Sequence, residues 1–251
     1  MAYISRNGIR LYYEKYGTGP TILLTHGYAG TSEMWEGQVK LLAHKYSVIS
    51  WDMRGHGRSD SPDDQAAYSE GECLEDMAAL LDNCEAGHAV IAGLSLGGYM
   101  SMAFYQRYPE RVRALMLFDT GPGYRSGESR AAWNRSVERS ALAFERKGLD
   151  ALKAIDETRA RTHRSALGLS RAARGMLAQF DSHVIDSLHH IRVPTMVLVG
   201  SRDKPLLSAA TYMAEKIPQG TKIIIPDAGH IANLDQPDRF NEAVGSFLSS
   251  L

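Results

Sequence analysis

Residues 90–99 read VIAGLSLGGY, a short apolar run followed by glycines around one serine. The apolar run predicts a buried strand, and residues 97–107 carry apolar side chains at helical spacing. Between them lies the pattern Gly-x-Ser-x-Gly. A chain that turns directly from a strand into a helix brings its own backbone close together, which glycines at 93 and 97 permit. The stretch therefore predicts a strained turn that exposes Ser95 at the carboxyl end of a strand.

Further strands are predicted on both sides of this turn. Asn7-Gly8 supplies the positive φ angles of a tight turn, so an N-terminal hairpin is expected. The later runs are continuously apolar, which indicates strands buried on both faces of a parallel sheet. The predicted strands are Ala2–Ser5, Ile9–Tyr16, Thr21–Thr25, Ser47–Trp51, Ala89–Ala92, Ala114–Phe118, Thr195–Val199 and Lys222–Ile225.

Segments with helical periodicity alternate with these strands. The predicted helices are Ser69–Cys84, Gly97–Arg107, Leu207–Ile217 and Asp238–Leu248. Alternating strands and helices predict an α/β fold with a mostly parallel, doubly wound, eight-stranded sheet. We expect one domain over residues 1–251, with a short helical lid at about 121–190, inserted before the seventh strand.

The predicted lid is basic in its middle. Residues 125–174 contain twelve arginines and lysines against six aspartates and glutamates. One interpretation is that these charges cover the solvated faces of amphipathic helices. The other is an electropositive lid over an anionic substrate.

Composition limits the possible partners and setting. The 251 residues carry a formal net charge of −1, so no global field attracts nucleic acid. Cys73 and Cys84 are eleven residues apart in one predicted helix, roughly 16 Å, which is too far for a disulfide between them. The N-terminal residues lack the apolar core of a secretory signal, and no stretch approaches a membrane span. We therefore expect a cytoplasmic protein with no membrane partner.

A serine hydroxyl needs a base to become a good nucleophile, and His230 is the best candidate among nine histidines. It follows the last predicted strand, at the edge of the sheet where ligands bind in such folds. The base in turn needs a carboxylate to orient it. Asp203, which follows the strand Thr195–Val199, is favoured over Asp119, which follows the strand before it. The order Ser95, Asp203, His230 is the one expected of this kind of turn and sheet.

Two backbone N–H groups are candidates for binding an oxyanion. Leu96 follows Ser95 at the start of a helix, where developing negative charge is favoured. Tyr28 lies in the loop His26-Gly27-Tyr28-Ala29-Gly30 after the third strand, and its ring is a candidate pocket wall. We expect His26 to support this loop through hydrogen bonds. No His/Cys cluster with metal-ligand spacing is present, so we expect neither a metal nor an organic cofactor.

These motifs together resemble the α/β-hydrolase superfamily over nearly the whole chain. The likeness runs from Leu24-Thr25-His26-Gly27 to the last helix, and residues 51–59 are similar to a turn that is structural in that family. The glycine-rich turn and the short insertion are similar to lactonases of the 3-oxoadipate enol-lactone type, to small carboxylesterases and to carbon–carbon bond hydrolases. Epoxide hydrolases and haloalkane dehalogenases carry Asp at the position of Ser95. The resemblance implies an α/β-hydrolase fold and a serine hydrolase.

The leading hypothesis is hydrolysis of a small-molecule carboxylic ester or lactone through an acyl-enzyme. One alternative keeps the same residues but cleaves a carbon–carbon bond in a vinylogous diketone, with a lid arginine such as Arg130, Arg135 or Arg159 holding a substrate carboxylate. A second alternative is a non-enzymatic ligand receptor on the same fold. The substrate pocket is expected to use apolar lid residues; the candidates are Trp133, Phe144 and Met176.

Overall fold

The structure is a computed structural model that describes residues 2–155 and 162–251. Its centre is an eight-stranded sheet in the order β1-β2-β4-β3-β5-β6-β7-β8. The strands are β1 Ala2–Arg6, β2 Ile9–Tyr16, β3 Thr21–Thr25, β4 Ser47–Trp51, β5 Ala89–Leu94, β6 Val112–Phe118, β7 Thr195–Gly200 and β8 Gly220–Ile225. The predicted eight-stranded α/β sheet is therefore confirmed.

The sheet is antiparallel at one edge and parallel over the rest. Asn7 and Gly8 both have positive φ, 51° and 79°, and close the hairpin between β1 and β2. β2 also pairs antiparallel with β4, whereas β3 to β8 pair in parallel with their neighbours. All parallel strands consequently end at the same edge, and the loops after β5, β7 and β8 meet there.

Helices cover both faces of the sheet. Several helices begin after a serine, such as Ser69, Ser126 or Ser165, whose hydroxyl accepts the backbone N–H three residues on. The α-helices of the described residues are α1 Glu36–Leu42, α2 Glu70–Asn83, α3 Leu96–Arg107, α4 Gly127–Lys147, α5 Ala166–Ala172, α6 His183–Ser187, α7 Lys204–Lys216, α8 Ala232–Asp235 and α9 Pro237–Ser249. None of them is long and apolar enough to cross a membrane.

Two hydrophobic cores lie on opposite faces of the sheet because successive strand residues point to opposite sides. Leu23 and Ile91 join one core with α2, α3 and α7. Ile22 and Val90, their neighbours in sequence, join the other core with α1 and α9. The last strand differs from the prediction of full burial: β8 is an edge strand, and Ile224 is 44% exposed.

The described parts of the insertion, 121–155 and 162–190, contain helices and no strand. α4, α5 and α6 lie there with a π-helical turn at Ala173–Leu177 and 3-10 turns at Gly148–Ala154 and Leu188–His190. The insertion joins β6 to β7, so it sits beside the sheet edge where the strand ends converge. Both cysteines are buried and unbridged, at α2 and just after it.

Candidate active site

Ser95 occupies the turn between β5 and α3. Its backbone has φ 54° and ψ −115°, a conformation that costs a non-glycine residue energy. Hydrogen bonds hold it there: the Ser95 N–H donates to the Phe118 carbonyl at 2.9 Å, and the Thr120 hydroxyl donates to the Ser95 carbonyl at 2.6 Å. Both partners belong to β6 and the residues after it, so the neighbouring strand stabilises the strained turn.

The two glycines beside Ser95 are required by close backbone contacts. A Cβ added at Gly93 would lie 2.2 Å from the carbonyl carbon of Gly97. A Cβ added at Gly97 would lie 2.2 Å from the Thr25 carbonyl oxygen. Any side chain at either position would push strand β5, helix α3 and strand β3 apart, and with them the Ser95 turn.

His230 and Asp203 meet across the loops that follow β8 and β7. The Nδ1 atom of His230 lies 2.7 Å from an Asp203 carboxylate oxygen. One hydrogen bond joins the two loops: the Arg202 N–H donates to the Ala228 carbonyl at 2.8 Å. A second bond lies beside His230, where the Gly229 N–H donates to the Asp235 carboxylate at 2.8 Å. A carboxylate acceptor at Nδ1 assigns the proton to that nitrogen and leaves Nε2 as the basic atom of a neutral imidazole.

Asp119, the competing carboxylate, lies in the same region but in a different environment. It is fully buried, and one of its oxygens accepts the Gly200 N–H at 2.7 Å. Burial raises the pKa of Asp119 to about 8, and the nearby charge of Asp203 acts in the same direction. Asp119 is therefore mostly protonated at neutral pH, whereas Asp203 is the carboxylate placed at Nδ1 of His230.

The two backbone segments expected to bind an oxyanion both adjoin Ser95. Leu96 is the first residue of α3, so its N–H has no partner within the helix. Gly27 passes beside the serine, because a Cβ added there would lie 3.3 Å from the Ser95 Cβ. The Tyr28 ring is turned elsewhere: its hydroxyl donates to the Leu169 carbonyl at 2.9 Å, and the ring packs against Phe144. The Tyr28 side chain is not part of the cavity wall, contrary to expectation.

His26 holds this loop through both ring nitrogens. Its Nε2 accepts the Met53 N–H at 3.0 Å, so Nδ1 carries the proton and donates to the Gly27 carbonyl at 2.7 Å. Burial lowers the pKa of His26 to about 4, so the ring stays neutral in this arrangement. Asp52 supports the neighbouring turn by accepting the backbone N–H groups of Ser32 and Arg58 at 2.7 and 2.8 Å.

A cavity of about 800 Å³ opens beside Ser95, between the sheet edge and the insertion. Ser95, Asp203 and His230 all line it, as do the predicted pocket residues Trp133 and Met176. Most of the wall is apolar. The apolar lining consists of Leu96, Pro122, Trp133, Met176, Leu177, Ile185, Pro205, Leu206 and Ala209.

Phe144 is not on the cavity wall. It is 1% exposed and packs with Ala29, Ala151 and Leu169 in a small core inside the insertion. The reason is its position late in α4, on the side of the helix that faces the Tyr28 ring and Leu169 of α5. Its predicted role in the pocket is corrected accordingly.

Neither of the two described arginines suggested for a substrate carboxylate lines the cavity. Arg130 donates to the carbonyls of Tyr124 and Arg125 at 2.9 Å each, and Arg135 is exposed on α4. Arg159 lies outside the described residues. Arg125, which the sequence did not single out, does line the cavity.

Sequence reasoning missed several residues of the wall. Tyr99 had a local signal, because it lies four residues, about one helical turn, after Ser95. Arg125 and Tyr212 had no such signal: Arg125 follows β6, and Tyr212 lies in α7.

In the described ranges, no group of three or more His, Cys, Asp or Glu residues is placed to hold a metal ion.

The arrangement suits nucleophilic attack on an acyl carbonyl. It combines a serine on a strained turn, an imidazole whose tautomer is set by a carboxylate, and a helix N-terminus beside the serine. The apolar cavity next to them has room for a drug-sized organic group.

Comparisons with known proteins identify the family to which the chain belongs. A model described as "Alpha/beta hydrolase family" matches residues 22–243. The 3-oxoadipate enol-lactonase 2 of Acinetobacter baylyi is 28% identical over 261 residues, which cover 96% of this chain and 94% of that protein. The putative 2-succinyl-6-hydroxy-2,4-cyclohexadiene-1-carboxylate synthase of Bacillus subtilis is 27% identical over 250 residues, with 92% and 90% covered. The solved structure of a thermophilic esterase from Thermogutta terrifontis is similar with a TM-score of 0.83 and 29% identity, covering 100% of this chain and 99% of that one.

Proposed function

The chain belongs to the alpha/beta hydrolase family, and from that premise we propose that it is a serine hydrolase that cleaves a carboxylic ester or lactone through an acyl-enzyme. The observation that carries this proposal is the 2.7 Å contact between His230 Nδ1 and Asp203, at a cavity that Ser95 also lines. The family by itself leaves the substrate open, because related folds carry different reactions.

In the proposed first half-reaction, Nε2 of His230 takes the proton from the Ser95 hydroxyl as the oxygen attacks the acyl carbonyl. The backbone N–H groups of Leu96 and Tyr28 hold the oxyanion of the tetrahedral intermediate. The imidazolium, stabilised by the Asp203 carboxylate, then protonates the leaving alcohol or the ring oxygen of a lactone. An ester bond to Ser95 remains.

In the second half-reaction, His230 removes a proton from water, which attacks the acyl-enzyme. The tetrahedral intermediate collapses, the carboxylic acid leaves, and the proton returns to the Ser95 oxygen. Each step uses the same base and the same oxyanion donors, so this chain's own residues complete the cycle.

Some of the relatives support the ester or lactone reading. An esterase and an enol-lactonase are among the proteins that the chain resembles over nearly its full length. A carbon–carbon bond hydrolase would need a cation for the substrate carboxylate. Neither Arg130 nor Arg135 lines the cavity. Arg125 does line it, but its guanidinium is already paired with Asp186. No specific contact favours a receptor without catalysis, since Ser95, His230 and Asp203 are all present at the cavity.

The first test compares wild type with Ser95→Ala on 4-nitrophenyl acetate and butyrate, after circular dichroism has shown that both are folded. We expect a loss of about a million-fold in turnover. Ser208→Ala is the matched control, because Ser208 is a second serine on the cavity wall; it should keep nearly full activity. A fluorophosphonate should label wild type and Ser208→Ala but not Ser95→Ala. Equal turnover or labelling of Ser95→Ala would refute the assignment of the nucleophile.

A further inference from the structure

The inference concerns the charge balance of the cavity wall and rests on the proposed function. Among the described residues that line the cavity, Arg125 carries the one permanent positive charge. It follows β6, at the start of the insertion, and its side chain is 59% exposed. An arginine at such a site is well suited to bind a carboxylate, so its existing partners decide what the cavity accepts.

Arg125 is already paired with an acid from the far end of the insertion. Its Nε donates to an oxygen of Asp186 in α6 at 2.6 Å, and its Nη1 donates to the Tyr212 hydroxyl at 3.2 Å. The second oxygen of Asp186 accepts the Ser182 hydroxyl at 2.7 Å. These hydrogen bonds lower the pKa of Asp186, so the carboxylate is charged at neutral pH.

The ion pair between Arg125 and Asp186 changes the net charge of the cavity wall that a substrate contacts. Asp186 compensates the guanidinium, and Asp203 adds a negative charge beside the reacting atoms, so the described part of the wall offers no uncompensated positive charge. Much of the remaining surface is apolar, including Met176, Leu177 and Leu206. A substrate carboxylate would lose its hydration there and would meet a guanidinium whose charge Asp186 already balances.

We propose that Asp186 sets the substrate class of this site: by holding Arg125 in an ion pair, it makes the cavity select neutral esters or lactones with apolar acyl groups over those that carry a free carboxylate. Asp186 is a positioning residue, since it acts through Arg125 and not on the reacting atoms. The pair is about half exposed, with side chains 59% and 48% accessible, so its loss should leave the fold intact.

The test uses matched pairs of esters. The 4-nitrophenyl half-esters of succinic, glutaric and adipic acid each carry a free carboxylate, and their methyl esters are neutral and nearly the same size. We expect wild type to favour the neutral member by about tenfold or more in kcat/KM, mainly through KM. Asp186→Asn should raise kcat/KM for at least one anionic ester by about tenfold and leave its neutral partner within about twofold.

Two variants separate this mechanism from a general charge effect. Asp181→Asn removes the same charge just before α6, but Asp181 contacts His183 and not Arg125; it should behave as wild type. Adding Arg125→Gln to Asp186→Asn should abolish the gain, and raising the NaCl concentration from about 0.05 to 0.5 M should shrink it by screening.

The outcomes distinguish this inference from the proposed function. Turnover of the neutral esters supports the proposed function whatever the selectivity. If wild type then hydrolyses the anionic partners equally well, or if Asp186→Asn and Asp181→Asn give the same profile, the role of Asp186 is refuted while the esterase proposal stands. If the folded wild type hydrolyses none of the six esters, both proposals fail.

Discussion

Asp203 and Asp119 lie in the same region, but substituting each with asparagine should have very different effects. In Asp203→Asn, the charged acceptor 2.7 Å from His230 Nδ1 is replaced by a neutral amide. The imidazole loses the group that selects its tautomer and stabilises its protonated form. In the proposed mechanism this should lower kcat by about 10,000-fold, equivalent to about 5 kcal/mol of transition-state stabilisation.

Asp119→Asn should change far less. With a pKa of about 8, Asp119 is roughly nine-tenths protonated at pH 7. The substitution therefore removes only about a tenth of a charge, and the amide oxygen can still accept the Gly200 N–H that lies 2.7 Å from the carboxyl oxygen. We expect kcat/KM to stay within about threefold of wild type, a difference of about 0.6 kcal/mol.

The assay is kcat/KM for 4-nitrophenyl butyrate at pH 7, with thermal unfolding of each variant to show that it is folded. Asp119→Asn would contradict this expectation if it lost activity as severely as Asp203→Asn while melting like wild type. That result would mean that Asp119 is ionised and acts on His230. An active Asp203→Asn variant would remove Asp203 from the mechanism altogether.

Two further predictions concern stability. Burial lowers the pKa of His26 in the folded protein to about 4. The unfolded chain therefore binds a proton below about pH 6.5 that the folded protein does not bind. As a result, the free energy of unfolding should fall by about 2 kcal/mol between pH 7 and pH 5. In urea unfolding at both pH values, the fall in unfolding free energy from pH 7 to pH 5 should be about 2 kcal/mol smaller for His26→Gln than for wild type. An equal fall in both proteins would contradict the lowered pKa of His26. Asp76 is fully buried between Arg54, 2.7 Å from it, and Arg6, 2.6 Å from it. Asp76→Asn should therefore cost about 3 kcal/mol, because the buried Arg54 guanidinium loses both of its hydrogen bonds to the Asp76 carboxylate and keeps only the partly exposed Glu72, 3.2 Å away, as a counter-ion. Lys40→Ala on an exposed pair should cost less than about 1 kcal/mol. Equal shifts in the thermal midpoint for Asp76→Asn and Lys40→Ala would contradict a stabilising role of the ion pairs that Asp76 makes with Arg54 and Arg6.

The strands and the main catalytic candidates could be predicted because their signals are local. A run of four or five apolar residues between turn residues identifies a buried strand, and the strand ends place Ser95, Asp203 and His230 at one edge of a parallel sheet. Strand boundaries moved by one or two residues; β7, for example, continues to Gly200. Helix α1 was not predicted, because its seven residues, Glu36–Leu42, span only about two turns, too few for a helical repeat of apolar residues to be recognised.

The amino-acid sequence by itself determined the order of strands and helices, the hairpin at Asn7-Gly8 and the serine turn, because each depends on backbone preferences and side-chain spacing within a few residues. Only the tertiary structure decided which side chains meet across the cavity. Phe144 packs inside the insertion instead of facing the substrate, and Arg125 pairs with Asp186, a residue 61 positions away. Such contacts depend on how whole helices pack against one another, and periodicity along one helix shows which face is apolar but not what that face will touch.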